Sequence, residues 1–278
     1  MLETAIILLG ALGAGFLGAL TGLGGGIIII PLLNLGLGYD IKYAIGAGLV
    51  SVIATSTGAS ASYAKEGISN IKIGLFLVVA STIGAVGGAL IGQHIPTSWL
   101  SVIFGAILIF TAYMQFRKKT DNFLPAREQG LAYKLQLQGY YNDKEAGAIK
   151  HYEAGNPVSG FLFMVLAGVL SGLLGIGSGV LKVLAMDNRM KLPFKVSTTT
   201  SVFMIGMTAV ASAVLYLQKG YIVVSIAAPV LIGVLLGANL GSKVLSRINT
   251  KLLKQVFVIV VVIIAIQMIY KGISQFIV

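Results

Sequence analysis

Cysteine is absent from this chain of 278 residues, which excludes disulfide bonds, thiolate chemistry and zinc–thiolate sites. Charged residues are scarce as well, at 10% of the chain, where a soluble domain has about a quarter. Hydrophobic residues reach 56%, and 36 residues are glycine. The composition therefore predicts an all-α polytopic membrane protein whose helices pack closely.

Acidic residues are missing from the middle of every long apolar run. All nine lie at the ends of such runs or in one central polar stretch, and His94 and His151 are equally peripheral. No carboxylate is therefore placed to relay protons or to favour sodium inside a membrane. The sequence also contains no Ser-His-Asp or metal-ligand pattern. We expect a protein that is not an enzyme and that uses neither a cofactor nor a metal ion.

Basic residues exceed acidic ones and give a formal charge of +11. In a membrane chain such an excess sets loop orientation more often than it binds nucleic acid, and no basic domain lies outside the apolar runs. The expected partners are the lipid bilayer and a small anionic substrate, without nucleic acid. A homo-oligomer stays open.

Two glycine-rich stretches interrupt apolar runs that are otherwise long enough to be helices. They are Gly22-Leu23-Gly24-Gly25-Gly26 and Gly175-Ile176-Gly177-Ser178-Gly179. Glycine is costly inside a helix, so each stretch predicts a break. A backbone that opens at membrane depth is tolerated only where it is buried in protein or lines a watery cavity.

The two halves of the chain are an internal repeat. A shift of 153 positions aligns them without a gap from Gly15 to about Gln115, and it matches Gly24, Thr55 and Gly88 with Gly177, Thr208 and Gly241. Duplicated halves are typical of transporters. The predicted organisation is a first transmembrane repeat (1–116), a polar linker (117–157) and a second transmembrane repeat (158–278). We expect the linker to be a solvated connector with one or two short helices, with a regulatory or partner-binding role as the alternative.

The basic residues favour inverted repeats in the cell membrane. If each broken segment crosses the membrane once, 11 basic residues lie on one side and 8 on the other. If each segment enters and returns as a hairpin, 3 basic residues lie on one side and 16 on the other. Such an uneven distribution is expected of membrane proteins. Each repeat then has a re-entrant-like broken segment plus three membrane helices, both termini lie outside and the linker is cytoplasmic. The returning limb of about eleven residues, 27–37, is only ~16 Å long as a helix.

The breaks predict an anion site near the middle of the membrane. The first N–H groups after a break have no partner in their helix, and the helix dipole adds partial positive charge there. Paired breaks would therefore hold an oxyanion. The candidate residues are Gly24, Gly25, Gly26, Gly177, Ser178 and Gly179. The alternative is that the glycines serve only close helix packing.

Other polar residues near the breaks are candidates for the same site. Lys182 is a basic residue within apolar sequence and predicts a counter-ion for an anion; snorkelling to the surface near Asp187 is the alternative. Hydroxyl groups of a second cluster could donate to an oxyanion or serve capping and helix packing; these are Thr198, Thr199, Thr200 and Ser201. Thr21, Ser51 and Thr55 are candidates for the pathway wall. Asn34 and Asp187, at matched positions, are predicted to cap helices.

These motifs resemble those of the TauE/SafE sulfite exporter family, also called the toluene sulfonate uptake permeases. The stretch from Gly15 to Gly26, with Pro31, is similar to the family's first motif, and the stretch from Gly237 to Ser242 is similar to its closing motif. The resemblance covers nearly all of the chain except the linker. It implies a multi-pass permease for sulfite, organosulfonates or related sulfur-containing anions. Ser178 and Lys182 depart from a simple copy of the first motif.

The resulting hypothesis is a secondary transporter of a small sulfur-containing anion that works by alternating access. Two other classes stay open. An anion channel would use the same helix dipoles, and a membrane scaffold or partner subunit would act through the linker.

Overall fold

A computed structural model describes residues 2–21, 23–65, 69–116, 131–143, 148–244 and 250–277. Gly22, the linker residues 117–130 and the side chain of Thr21 lie outside this description. The described residues form eleven α-helices: α1 (Leu2–Thr21), α2 (Gly26–Pro31), α3 (Ile41–Lys65), α4 (Ile71–His94), α5 (Thr97–Phe116), α6 (Leu131–Lys134), α7 (Pro157–Leu174), α8 (Gly179–Leu184), α9 (Phe194–Gln218), α10 (Val224–Val244) and α11 (Thr250–Ile277).

Eight of these helices are long and apolar enough to cross a membrane: α1, α3, α4, α5, α7, α9, α10 and α11. Helices of this length satisfy their own backbone hydrogen bonds, which an apolar surrounding requires. The protein is therefore an all-α polytopic membrane protein, as its composition predicts.

Both predicted breaks are present at equivalent places. α1 stops at Thr21 before α2 begins, and α7 stops at Leu174 before α8 begins. Gly24 and Gly177, which the repeat aligns, have φ of 81° and 72°. This left-handed region is disfavoured for residues with a Cβ, so glycine is the residue that reverses the chain here at least cost.

The duplication extends to secondary structure. The shift of 153 positions that aligns the sequence carries α2 onto α8 and α3 onto α9, residue for residue. The same shift aligns two short π-helical segments, Leu32–Gly36 and Ala185–Arg189, that follow the breaks. Each half is therefore built from the same elements in the same order.

Each broken segment returns to the end at which it starts. After α2, the Tyr39 hydroxyl donates a hydrogen bond to the Glu3 carboxylate at the beginning of α1. In the second half, the Gly155 N–H before α7 donates to the Met190 carbonyl at 2.7 Å. The returning limb consists of the short helix α2, the π-helical segment Leu32–Gly36 and a loop that leads to α3. The hydrogen bond to Glu3 is the main cause that raises the pKa of Tyr39, so the phenol keeps its proton.

Helices that are repeat equivalents pack against each other in opposite directions. Tyr43 near the start of α3 stacks edge-on against Tyr221 just after α9, with ring centroids 5.6 Å apart. Further along α3, the Ser56 hydroxyl donates to the Val202 carbonyl near the start of α9 at 2.6 Å. α3 and α9 are therefore antiparallel. The contact of Trp99 in α5 with Phe276 at the end of α11, at 5.1 Å between ring centroids, shows the same order for that pair.

Two further pairs join a broken segment to the other half through glycines at four-residue spacing. α4 and α7 run side by side. A Cβ added at Gly84 would overlap the Val165 carbonyl oxygen, and one added at Gly88 would overlap the Val169 carbonyl oxygen. α1 and α10 pair in the same manner through Gly15, Gly233, Gly237 and Gly241. Small residues one helical turn apart let helix backbones touch without lipid between them.

The described part of the linker contains one short helix, within the predicted one or two, and a β-hairpin that was not predicted. It contains α6, of four residues, and an antiparallel β-hairpin of β1 (Gln138–Asp143) and β2 (Ala148–Glu153). The hairpin is docked on the bundle: Tyr152 is buried, and the Asn70 amide donates to its hydroxyl at 3.1 Å. An isolated two-stranded hairpin is marginal in water, so this packing explains its presence.

Neighbouring glycines in α4 provide a matched test of this packing. Replacing Gly88 with Ala should lower stability by about 1–3 kcal/mol, because the added methyl meets the Val169 backbone. The same change at Gly87, where an added Cβ has no neighbour within 4 Å, should be neutral or stabilise by up to about 1 kcal/mol. Thermal unfolding of both variants in detergent measures the difference; equal stabilities would contradict the close contact.

Candidate functional site

The two breaks meet in the centre of the bundle. We call residues 23–26 the first tip and residues 175–179 the second tip. A Cβ added at Gly26 would lie 2.8 Å from the Gly175 carbonyl oxygen, so the two backbones are in contact. Val52 of α3 and Ile205 of α9, which are repeat equivalents, lie beside Gly24 and also beside Gly177. The two hairpins therefore approach each other from opposite ends and touch at their tips.

At the first tip, side-chain hydroxyls replace the missing helical partners. The Gly25 N–H donates to Thr55 Oγ1 at 3.1 Å, and the Thr55 hydroxyl donates to the Ser51 carbonyl at 2.8 Å. The Ser51 hydroxyl is fully buried, has no hydrogen-bond partner among the described residues, and lies where a Cβ on Gly25 would be. Ser51 and Thr55, predicted to line a pathway, therefore both contact the first tip.

At the second tip, hydroxyls donate hydrogen bonds to backbone carbonyls. The Ser178 side chain donates to the Ala167 carbonyl in α7. The Ser201 side chain donates to the Gly179 carbonyl at 3.1 Å. Ser178 itself has φ of 42°, an unusual value for a residue with a side chain. In this closed arrangement, the two serines predicted to donate to an anion donate to the protein instead.

Lys182 lies inside the bundle. Its side chain is 0% exposed, and its ammonium donates to Thr208 Oγ1 in α9 at 2.8 Å. The Ser81 hydroxyl of α4 lies 3.0 Å from the same threonine oxygen. Snorkelling towards the surface, the alternative for Lys182, is therefore wrong: its side-chain nitrogen is held by the Thr208 hydroxyl inside the bundle.

The remaining predicted hydroxyls are directed elsewhere. Thr198 and Thr199 donate to carbonyls of their own helix, at Phe194 and Lys195. Thr200 Oγ1 accepts a hydrogen bond from the Asn70 N–H at 3.0 Å, which joins α9 to the start of α4. Of the four residues in this cluster, the structure brings Ser201 to a tip and uses the other three in helix and loop contacts.

Close packing explains the glycines of the tips. Glycines 24, 25, 26 and 177 each face a neighbour that leaves little or no room for a side chain. One backbone group at the tips, the Gly25 N–H, takes a side-chain hydroxyl as its acceptor. The anion site stays a prediction.

A family model described as "Sulfite exporter TauE/SafE" matches residues 7–268. The chain belongs to this family. Among its relatives, "Probable membrane transporter protein YunE" of Bacillus subtilis is 30% identical over 224 residues, covering 78% of this chain and 79% of that protein. "Probable membrane transporter protein YdhB" of the same organism is 26% identical over 219 residues, covering 79% of both chains. No solved structure matches.

In this TauE/SafE member, the internal repeat could have identified Thr208 as the partner of Lys182. The repeat aligns Thr55 with Thr208, and these threonines accept from Gly25 and Lys182 respectively. Ser81 could not be found in this way, because its repeat equivalent is Val234. The role of Val52 and Ile205 between the tips is likewise visible only once α3 and α9 are packed.

The contact of Lys182 with Thr208 predicts a measurable coupling. Thr208→Val should lower stability by about 1.5–3 kcal/mol, because a buried ammonium loses its hydrogen-bond acceptor. In a Lys182→Met background the same change should cost clearly less, since no ammonium remains. Chemical unfolding of the two single variants and the double variant gives the coupling energy.

Thr57→Val is the control for this comparison of single and double variants. Thr57 is exposed and its hydroxyl bonds within its own helix, so we expect an effect within about 0.5 kcal/mol. Strictly additive effects of Thr208→Val and Lys182→Met would show that the two side chains do not interact.

Proposed function

We propose that this protein is a secondary transporter of a small sulfur-containing anion, such as sulfite or an organosulfonate, and that it works by alternating access. The family supplies the substrate class. The observation that carries the proposal is Lys182, a fully buried basic side chain shortly after the second tip whose described partner is the neutral Thr208 hydroxyl. Burial without a counter-ion disfavours the charged form of lysine, so an anion that reached Lys182 would be favoured because it would stabilise the ammonium form.

The anion would bind where the tips now touch. The Gly25 N–H and the Ser178 hydroxyl currently bind protein oxygens. When the hairpins part, an oxyanion could take the place of those acceptors and add the charge of Lys182 to the bond. Exchange of one acceptor for another changes the energy little, which a carrier needs in order to release its substrate. The N–H groups of Gly24, Gly26, Gly177 and Gly179, and the hydroxyls of Thr198–Ser201, stay candidates for the same contacts.

The direction of the helices supports an inverted repeat. Repeat equivalents α3 and α9 pack antiparallel, as do α5 and α11. For helices that cross a membrane, an antiparallel pair of equivalents requires a two-fold axis in the membrane plane, which is the arrangement of inverted-repeat transporters. Together with the basic residues, this leads us to propose that the linker is cytoplasmic and both termini are outside.

Transport by reconstituted vesicles tests the proposal. Vesicles loaded with unlabelled sulfite should accumulate labelled sulfite by exchange, and Lys182→Met should reduce the rate at least tenfold because the anion loses its counter-charge. Lys219→Met, in an exposed turn, removes the same charge and should leave the rate unchanged.

Several results would contradict this proposal. Undiminished exchange by Lys182→Met would remove Lys182 from the site. Ionic currents that do not saturate would indicate a channel. Loss of function on deletion of the β-hairpin, with normal function in Lys182→Met and Gly25→Ala, would indicate a scaffold that acts through the linker.

A further inference from the structure

A cavity of about 220 Å³ lies away from the tips, at the end of the bundle where α1 begins. Its wall comes from the π-helical segment after α2, the loop into α3, the start of α5 and the end of α11. None of its lining residues belongs to either tip. At a share of about 30 Å³ per water molecule, the volume holds roughly seven waters or an organic molecule of similar size.

Two opposite charges face this cavity without being paired to each other. The Lys271 ammonium donates to the Asn34 carbonyl at 2.6 Å. The Asp40 carboxylate, which is close enough to interact electrostatically with Lys271, accepts the Lys42 N–H at 2.8 Å. Both charged side chains line the cavity. A ligand of one charge sign would be attracted by one of these groups and repelled by the other.

A buried acceptor in the same wall also has no partner. Asn34 is 3% exposed, and its Oδ1 has no hydrogen bond among the described residues. The orientation of the amide is fixed, because its Nδ2 donates to the Tyr39 carbonyl at 2.8 Å and a flipped amide would place two oxygens together. This oxygen has less than 1 Å² of accessible surface, so Asn34 belongs to the wall without offering its Oδ1 to the cavity.

We propose that this cavity is a binding site for a small zwitterion, that is, a molecule carrying an ammonium group and a sulfonate or carboxylate a few bonds apart. The acid group lies at Lys271, with the Thr97 and Ser101 side chains beside it in the wall. The ammonium group lies at the Asp40 carboxylate, which attracts it by charge. The site is separate from the tips and does not depend on transport through them.

Calorimetric titration of the purified full-length protein tests this assignment with matched probes. Taurine and β-alanine carry both charges, ethanesulfonate lacks the ammonium group, and ethylammonium lacks the acid group. At constant ionic strength we expect at least one of the two zwitterions to bind, and each singly charged probe to bind at least tenfold more weakly.

Variants locate the binding. Asp40→Asn keeps an acceptor for the Lys42 N–H but removes the charge, so it should weaken zwitterion binding at least tenfold. Lys271→Met should do the same. Lys219→Met, which removes a basic residue from an exposed turn outside the cavity, should bind as the native chain does. Because Lys271 also holds the Asn34 carbonyl, the exposed Asp40 provides the test if Lys271→Met does not fold.

Three outcomes overturn the proposal. The first is that neither zwitterion binds. The second is that ethanesulfonate binds as tightly as taurine and its binding is unchanged in Asp40→Asn, which would indicate an anion site; the third is that binding is lost in Lys182→Met but kept in Asp40→Asn, which would place the ligand at the tips. Sulfite exchange by Asp40→Asn vesicles reports separately on the transport proposal, so the two can fail independently.

Discussion

Backbone groups that open inside an apolar surrounding must find partners in the protein, and this constraint organises the centre of the molecule. The chain meets it with hydroxyl side chains carried by neighbouring helices. Thr55 Oγ1 accepts a hydrogen bond from the Gly25 N–H, and the Ser201 hydroxyl donates one to the Gly179 carbonyl. The two breaks are therefore tied to α3 and α9, and the position of those two helices fixes where the tips can lie.

The same constraint explains why the halves are interlocked and do not stand side by side. Each hairpin finds its close-packed partner in the other half, α10 for α1 and α4 for α7, through backbone contacts that glycine permits. The repeat equivalents α3 and α9 cross between them, with Val52 and Ile205 against both tips. Ser178 in the second tip and Lys182 just after it replace a glycine and an isoleucine of the first half, so the chemistry there differs although the helix arrangement is shared.

The sequence predicted the membrane helices, the breaks and the repeat better than the side-chain contacts. Glycine breaks, the repeat and the uneven basic residues each reflect a local or periodic property, so membrane helices and hairpins could be inferred from them. Polar contacts depend on distant residues: Lys271 and Asn34 are 237 positions apart and belong to no motif. The β-hairpin was missed because its stability comes from packing against the bundle around Tyr152 and Asn70, which strand patterns do not reveal.

The pairing of α1 with α10 also determines when the protein can complete its fold. α1 precedes α10 in the chain, and this partner, which covers its glycines, follows some two hundred residues later. At typical rates of translation this delay is on the order of ten to forty seconds. During that interval the first hairpin has only its own half to pack against. Biogenesis therefore depends on keeping an incomplete first half in the membrane until the last helices arrive.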